Sequence, residues 1–194
     1  MKTHLLNLTP AEFCKATNAC SEGAAFSTKY ATMSEVWEAC TNLDWLIWIL
    51  DAIDAEHDEK AERLFAVWCA RNTPLTDGRT TGDLLTDPRS LAALDVATRF
   101  ANGEATRGEL DAASDAARAA AWVAASSAAR AAAWAAARAA ASDAASDAAS
   151  DAASDAASHA ARAAASDAAS DAAGDAAWAA QSREFHRVIK NPFL

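Results

Sequence analysis

The sequence predicts an all-α protein: an N-terminal helical bundle with a long Ala-rich helical repeat tail that folds into packed rods. Three observations predict this class. The tail, residues 112–180, contains 41 alanines in 69 positions, and alanine is the strongest helix former. Three capping boxes, Thr9–Glu12, Thr32–Glu35 and Thr106–Glu109, each mark a helix start. Finally, no stretch alternates apolar and polar residues as a half-buried strand does.

The tail repeats pairs of alanine every four residues, from Ala112–Ala113 to Ala176–Ala177. Four residues advance an α-helix about 40° beyond one turn, so the alanine stripe winds right-handedly around the helix. Rows four residues apart are also the ridges that interlock when helices cross. One straight rod of this length would measure about 105 Å, too long for a compact domain. We therefore expect two to four rods, packed through the stripe.

A disordered low-complexity tract is the alternative interpretation of the tail. It is disfavoured because residues 112–180 contain no proline and a single glycine, Gly174. The positions between the alanine pairs divide the tail further. Residues 119–139 hold mainly Ala, Trp and Arg there, which predicts the more buried half, whereas residues 143–175 hold mostly Asp, which predicts an acidic ridge. Four of its members are Asp143, Asp147, Asp151 and Asp155.

The first part of the chain reads as a series of short helices. The predicted helices cover residues 10–22, 36–40, 43–50, 58–71 and 88–101. The range 43–50 is apolar on all sides and predicts the central buried helix, with a buried β-strand as the alternative. Residues 73–81 contain proline and an Asp-Gly pair, so they predict a loop. Near the C-terminus, Phe185, Val188 and Ile189 form one last amphipathic turn that can dock on the core.

These patterns divide one domain into a helical core region, 1–111, a period-4 repeat, 112–181, and a docking segment, 182–194. The net charge is −10 in all, and −8, −4 and +2 in the three segments. An acidic chain is a poor direct binder of nucleic acid, because phosphate contacts need Lys and Arg. No export signal and no apolar run of membrane-spanning length occur, so we expect a soluble cytoplasmic protein without a membrane contact. Its four cysteines form no CxxC pair and are expected as reduced thiols in helix cores.

A search for catalytic groups gives little. His57 lies near Asp54 and Asp58, which could form a metal site or simply a solvated acidic helix end. A nucleophilic Cys–His pair would need Cys40 or Cys69 beside His57 or His186, and the spacing does not favour it. No Gly-rich phosphate loop and no known catalytic motif occurs. We expect no enzyme activity, no catalytic residue, no metal ligand and no cofactor.

Tryptophan is the over-represented residue, at seven copies. Those in the first part, Trp37, Trp45, Trp48 and Trp68, sit among apolar neighbours and are expected in the core. Those in the tail, Trp122, Trp134 and Trp178, have two interpretations. They either fill space between alanine methyls and attach the tail to the first part, or two of them line a groove together with arginines. Aromatic residues plus Arg are typical of interaction hot spots and also stack on nucleotide bases.

The groove and the acidic ridge together give the candidate binding residues. These are Arg118, Trp122, Arg130, Trp134, Arg138, Asp143, Asp147, Asp151 and Asp155. We expect a protein partner; a small-molecule ligand and a homo-oligomer are further options.

Several segments carry a resemblance that covers nearly the whole chain. They are MSEVW at 33–37, DWLIW at 44–48, RLFAVWCAR at 63–71, ATRFANGEAT at 97–106, the alanine tetrads, and NPF at 191–193. Together they resemble uncharacterised bacterial and phage proteins with Ala-rich tetrad repeats, and the chain is weakly similar to helical immunity proteins of toxin systems. This sequence carries Ser-Asp where those proteins often carry Trp-Asp or Arg-Asp, so its tail has fewer anchors. The family transfers no activity and no site residue.

The resemblance implies a non-enzymatic binding or inhibitory protein of a bacterial or phage conflict system. Such a protein, of the immunity or counter-defence type, acts by occupying a partner. Three alternatives remain open at this point: a sponge for a small ligand such as a nucleotide, an acidic mimic of nucleic acid, and a structural helical rod.

Overall fold

In the computed structural model of the protein, the structure describes residues 2–56, 58–123, 127–140 and 167–194. Within these ranges it contains nine α-helices. They are α1 (Pro10–Thr17), α2 (Ser21–Ser27), α3 (Met33–Ala39), α4 (Leu43–Ala52), α5 (Glu59–Asn72), α6 (Pro88–Ala101), α7 (Arg107–Val123), α8 (Ser127–Ala139) and α9 (Asp167–Val188). Two 3-10 turns, Thr3–Leu5 and Thr81–Leu84, and one isolated β-bridge between Pro74 and Thr80 complete the described secondary structure. The all-α prediction is confirmed.

The helix starts follow the capping signals. At α1, the Thr9 hydroxyl accepts a hydrogen bond from the backbone N–H of Glu12 at 3.4 Å, and the Glu12 carboxylate accepts one from Thr9 N–H at 3.0 Å. The same reciprocal pair joins Thr106 and Glu109 at α7, at 3.2 and 2.8 Å. Each box satisfies N–H groups that the first helical turn cannot pair internally. Local sequence therefore sets where these helices begin.

The predicted helix at residues 10–22 is wrong in its length. Asn18 adopts the left-handed conformation, with φ 54°, so α1 ends at Thr17, five residues early. A new helix then starts at Ser21, because the Cys20 thiol accepts a hydrogen bond from Gly23 N–H at 3.3 Å. Gly23 lies inside α2. The chain thus turns a corner at residues 18–20 that helix propensity alone did not indicate.

Residues 43–50 form helix rather than strand, as expected, and the side chain of Asn42 caps α4 by accepting from Trp45 N–H at 3.2 Å. The expectation that this helix is buried on all sides is only partly right. Leu46 is fully buried, whereas Trp45 and Trp48 are half-buried. Of the four tryptophans predicted for the core, Trp37 alone is fully buried, and the other three lie at the core's edge.

The alanine repeat supplies the centre of the second layer. Helices α7 and α8 run antiparallel, since Ser114 contacts Ala137 while Trp122 contacts Trp134. Helix α8 packs against α5, α6 and α7, and its alanines are buried almost all around the helix. They are Ala132, Ala133, Ala135, Ala136, Ala137 and Ala139, followed by Ala140. Methyl-sized side chains let the backbones approach closely. The prediction that the stripe packs against other helices is confirmed for this half of the tail.

The last helix fixes the C-terminal segment to the first part of the chain. Phe185 is buried between the rings of Trp37 and Phe65, at centroid distances of 6.1 and 5.2 Å. Ile189 is buried as well, so this segment packs against the core. The expected boundaries after residues 111 and 181 both fall inside helices, and all three segments contribute to one core. No helix in the described ranges is both long and apolar enough to cross a bilayer.

Candidate functional site

The antiparallel pair α7–α8 brings together two of the candidate binding residues. The rings of Trp122 and Trp134 meet edge-to-face, with centroids 6.0 Å apart and planes at 74°. This is a favoured geometry for aromatic pairs, because the positive edge of one ring meets the negative face of the other. Each ring therefore holds the other in place at the surface of the hairpin.

Trp122 is the notable member of the pair because 73% of its surface is exposed. The other exposed large apolar side chains of the described ranges are Leu91, at 42%, and Leu194 at the C-terminus. Trp134 is half-buried and packs against the core, as does Trp178 on α9. The interpretation that the tail tryptophans attach the tail to the first part is therefore right for Trp134 and Trp178 and wrong for Trp122.

Two arginines extend this surface. Arg118 precedes Trp122 by one helical turn on α7, and Arg138 follows Trp134 by one turn on α8, so each shares a helix face with its tryptophan. Both side chains are exposed. Arg118 also forms a long ion pair with Asp115 at 3.3 Å. We call Arg118, Trp122, Trp134 and Arg138 together the Trp/Arg surface.

The remaining candidates are not part of the described structure. Arg130 lies on α8, but its side chain is outside the described set. The four candidate residues of the acidic ridge, Asp143, Asp147, Asp151 and Asp155, lie outside the described residues. Its last part, from Asp167 to Asp175, lies on α9, where Asp175 is exposed. The predicted ridge stays a prediction.

The surface stands out because everything beneath it is small. Most of the buried residues described on α7 and α8 are alanines, which pack closely. A buried hydrogen bond from the Ser114 hydroxyl to Ala137 C=O, at 2.9 Å, fixes how the two helices are aligned. Trp122 is therefore displayed on a rigid base, with its outer face free of core contacts.

The carboxylates with lowered pKa values serve structure rather than chemistry. The strongest case is Asp87, whose pKa is held at about 2 by hydrogen bonds from the Arg89 side chain and backbone N–H. Hydrogen bonds from Thr106 and from Arg99 lower the pKa of Glu109 in the same way. Both carboxylates cap the first turn of a helix, α6 and α7 respectively. A favourable partner for the charged form explains each lowered pKa.

Among the described residues, the two cysteines considered for a nucleophilic Cys–His pair, Cys40 and Cys69, have thiol pKa values shifted in the wrong direction. Burial raises the pKa of the Cys69 thiol well above its usual range, and it raises that of Cys40 too. A nucleophilic cysteine needs the opposite shift. His186 lies edge-on against the Trp37 ring, and His57 is outside the described residues. In the described ranges no three His, Cys, Asp or Glu side chains gather closely enough to hold a metal ion.

The structure also contains a cavity that the sequence did not predict. A cavity of about 260 Å³ lies among α1, α2, α3 and α4. Part of its wall is the corner at residues 18–20, which the prediction of one unbroken helix over 10–22 concealed. The signal that could have revealed it is Asn18, a residue that tolerates the left-handed conformation, followed by a cysteine able to cap.

No family model, no curated protein and no solved structure matches this chain. The features that define its class are physical ones: an all-α bundle built around an alanine-rich hairpin, with one exposed tryptophan and with exposed arginines on the same helices.

Proposed function

We propose that this chain is a non-enzymatic binding protein that acts by occupying a protein partner through the Trp/Arg surface. The observation that carries the proposal is the exposure of Trp122, 73% of whose surface faces solvent while its ring is held by Trp134. Truncating a tryptophan or an arginine at an interface often costs most of the binding energy, because both present a large contact area. A fixed ring also loses little conformational freedom when a partner covers it.

The partner that fits this surface has an apolar pocket for the indole and acidic groups around it. Arg118 and Arg138 are exposed beside the tryptophans, so carboxylates of a partner can pair with them. We further propose that the protein belongs to a bacterial or phage conflict system, as an immunity or counter-defence protein. That part rests on the sequence resemblance alone and stays a prediction, as does the cytoplasmic location.

A nucleotide sponge is the second candidate for the same surface, since indole and guanidinium groups stack on bases. Two observations favour a protein instead. The net charge of −10 repels phosphate groups over the molecule as a whole. The two indoles meet edge-to-face, so they do not form parallel walls between which a base could insert. A nucleic-acid mimic would depend on the acidic ridge, whose candidate residues Asp143, Asp147, Asp151 and Asp155 lie outside the described residues. A purely structural rod would need no exposed tryptophan.

The test compares Trp122→Ala with Leu91→Ala, which removes another exposed apolar side chain on α6. Immobilised full-length protein first captures partners from a bacterial lysate, and the affinity of each captured protein is then measured. We expect Trp122→Ala to weaken the binding of a specific partner by at least about 2 kcal/mol, which raises its Kd roughly thirtyfold. Leu91→Ala should leave this Kd unchanged. Equal affinities of both variants for every captured protein would exclude the surface as the binding site. Titration with nucleoside triphosphates and cyclic dinucleotides tests the sponge, which requires binding that Trp122→Ala abolishes.

A further inference from the structure

The cavity among the first four helices is too large to be a packing defect of ordinary size. Its volume is about 260 Å³ and it opens to solvent, whereas the enclosed voids of native interiors are rarely larger than one water molecule. Each of the four helices contributes to its wall, for example through Phe13 on α1, Phe26 on α2, Val36 on α3 and Trp48 on α4. An apolar cavity of about 150 Å³ already stays dry and takes up benzene. This one has room for a molecule of about two rings.

Aromatic rings dominate the wall, and neighbouring rings fix their positions. Phe13 meets Trp48 edge-on at 6.2 Å, and Phe26 meets Trp45 at 5.6 Å. Phe13 is fully buried, so one end of the cavity is rigid core. Such a wall offers ring faces and ring edges to a guest, and it therefore favours a flat aromatic molecule.

Three polar side chains of the wall already form hydrogen bonds within the protein, which limits the charge that a bound molecule can carry. The Ser27 hydroxyl donates to Gly23 C=O at 2.8 Å. The Cys20 thiol accepts from Gly23 N–H at 3.3 Å, and the Cys40 thiol donates to Asn42 C=O at 3.4 Å. The wall's one charged side chain is Asp44, which is exposed. A buried anion would find no counter-charge in this wall and would lose its hydration.

The entrance lies between α2 and α4. Phe26 and Trp45 both line the cavity and are both half-buried. The Lys29 ammonium lies 5.7 Å from the centroid of the Phe26 ring. Cys20 and Asp44, also part of the wall, are exposed, so the cavity opens to solvent where these residues lie.

From these observations we infer that the cavity among α1–α4 is a binding site for a small, uncharged, flat aromatic molecule of about two rings. The volume of the cavity limits the size of the ligand, and the aromatic rings of the wall favour a flat ligand. The hydrogen-bonded polar side chains and the Asp44 carboxylate disfavour an anion. The site is separate from the Trp/Arg surface, so it stands or falls independently of the proposed function.

Two fluorescent probes that differ by one sulfonate group test the inference on the unmodified protein. The first is 1-aminonaphthalene, which is uncharged at neutral pH, and the second is 1-aminonaphthalene-5-sulfonate, which carries a negative charge on the same rings. Each is titrated while energy transfer from tryptophan is followed. We expect saturable one-to-one binding of the uncharged probe and at least tenfold weaker binding of the sulfonate. Absence of saturable binding, or equal binding of both probes, would overturn the inference.

A cavity-filling variant then locates the bound probe. Val36 is buried in the wall, so Val36→Phe places a ring inside the cavity. The control is Val96→Phe on α6, a half-buried valine that does not line the cavity. We expect Val36→Phe to raise the Kd of the uncharged probe at least tenfold and Val96→Phe to leave it within twofold. Equal Kd values for the two folded variants would place the probe elsewhere and refute the site.

A gentler pair of variants decides the matter if Val36→Phe does not fold. A Cβ added at Gly23 would lie 3.3 Å from the Cys20 sulfur and 3.9 Å from the Trp45 ring, so it narrows the entrance. A Cβ added at Gly174 on α9 would meet nothing within 4 Å. We expect Gly23→Ala to weaken or slow uptake of 1-aminonaphthalene at least threefold, and Gly174→Ala to have no effect. Unchanged uptake by Gly23→Ala would overturn the proposed entrance and the site with it.

Discussion

Gln181 and Thr73 are 108 positions apart in the chain, and the Gln181 side-chain amide donates a buried hydrogen bond of 3.0 Å to the Thr73 hydroxyl. The Thr73 hydroxyl in turn donates to Cys69 C=O at 2.8 Å. Gln181 is the first residue after the alanine repeat, and Ser182 beside it donates to Thr41 C=O at 2.6 Å. The repeat therefore ends where α9 requires polar groups to attach it to the first part of the chain.

Replacing Thr73 tests this attachment. Thr73→Val keeps the shape but removes the acceptor, so it leaves the Gln181 amide without this buried partner, and we expect a loss of about 1–3 kcal/mol in the free energy of unfolding. Thr98→Val is the matched control, because the Thr98 hydroxyl bonds the carbonyl four residues earlier in the same way, at 2.8 Å to Leu94. Chemical denaturation measures both. Equal losses would mean that the contact with Gln181 contributes nothing.

Two buried serines should respond in opposite ways to the same substitution. The Ser114 hydroxyl bonds Ala137 C=O between α7 and α8, so Ser114→Ala should cost about 0.5–1.5 kcal/mol. Ser90 on α6 is equally buried, and its hydroxyl has no hydrogen-bond partner among the described residues. Ser90→Ala removes an unsatisfied group and should be neutral or stabilising. Thermal unfolding at one pH checks the pair; a destabilised Ser90→Ala with an unaffected Ser114→Ala contradicts the prediction.

The alanine packing of α8 predicts a low tolerance for larger side chains. Ala136 is fully buried, so Ala136→Leu overpacks the contacts with neighbouring helices and should cost about 1–3 kcal/mol. Ala119 on α7 is exposed, and Ala119→Leu should change stability by less than about 0.5 kcal/mol. Urea unfolding curves of the two variants provide the measurement. If both variants unfold with the parent protein, α8 is not the packed centre of this layer.

Asp87 gives a pH-dependent prediction. Its pKa is about 2 in the folded protein against a usual value of 3.8, so its contribution is present above pH 3.8 and disappears as the pH falls towards 2. Asp87→Asn keeps an oxygen that can cap α6 but removes the charge that pairs with Arg89. The Tm difference between the two proteins should be largest at pH 6 and smaller at pH 3. A difference independent of pH would show that the charge is not the cause.

The thiols should differ in reactivity according to their burial. Cys20 is exposed, whereas Cys69 is fully buried and burial raises its pKa well above the usual range. Because the thiolate is the reactive form, N-ethylmaleimide at pH 8 should label Cys20 at least about a hundredfold faster than Cys69. Peptide mass spectrometry over time assigns the labelled residues, and full labelling in denaturant is the control. Comparable native rates would contradict the described burial.

How far the sequence predicted the fold depends on how local the deciding interactions are. Helix starts were predictable because a capping box acts within four residues, as at Thr9 and Thr106. The end of α1 was not, because it depends on one backbone conformation, at Asn18, and on a cysteine thiol acting as a cap. Burial of the alanine stripe followed from its period, since only close packing suits rows of methyl groups.

The candidate site was predictable in composition and not in arrangement. The tryptophans and arginines that the sequence singled out in the first half of the tail lie on α7 and α8, and their role in binding stays a prediction. Whether Trp122 faces the core or the solvent depends on where the chain reverses between α7 and α8, and a uniform repeat carries no signal for that position. The cavity among the first four helices was beyond reach for a related reason, since it depends on the corner at residues 18–20.

The period-4 stripe has one more consequence, which concerns alignment. Sliding α7 along α8 by one tetrad, about 6 Å, again places methyl groups on methyl groups, so the alanine contacts alone are degenerate. Residues between the alanine pairs select one alignment. The Ser114 hydroxyl bonds the carbonyl of Ala137, and the Trp122 ring packs against the Trp134 ring. A variant that loses both contacts would keep its helices and yet populate several alignments of α7 along α8, because the alanine contacts are equivalent in each.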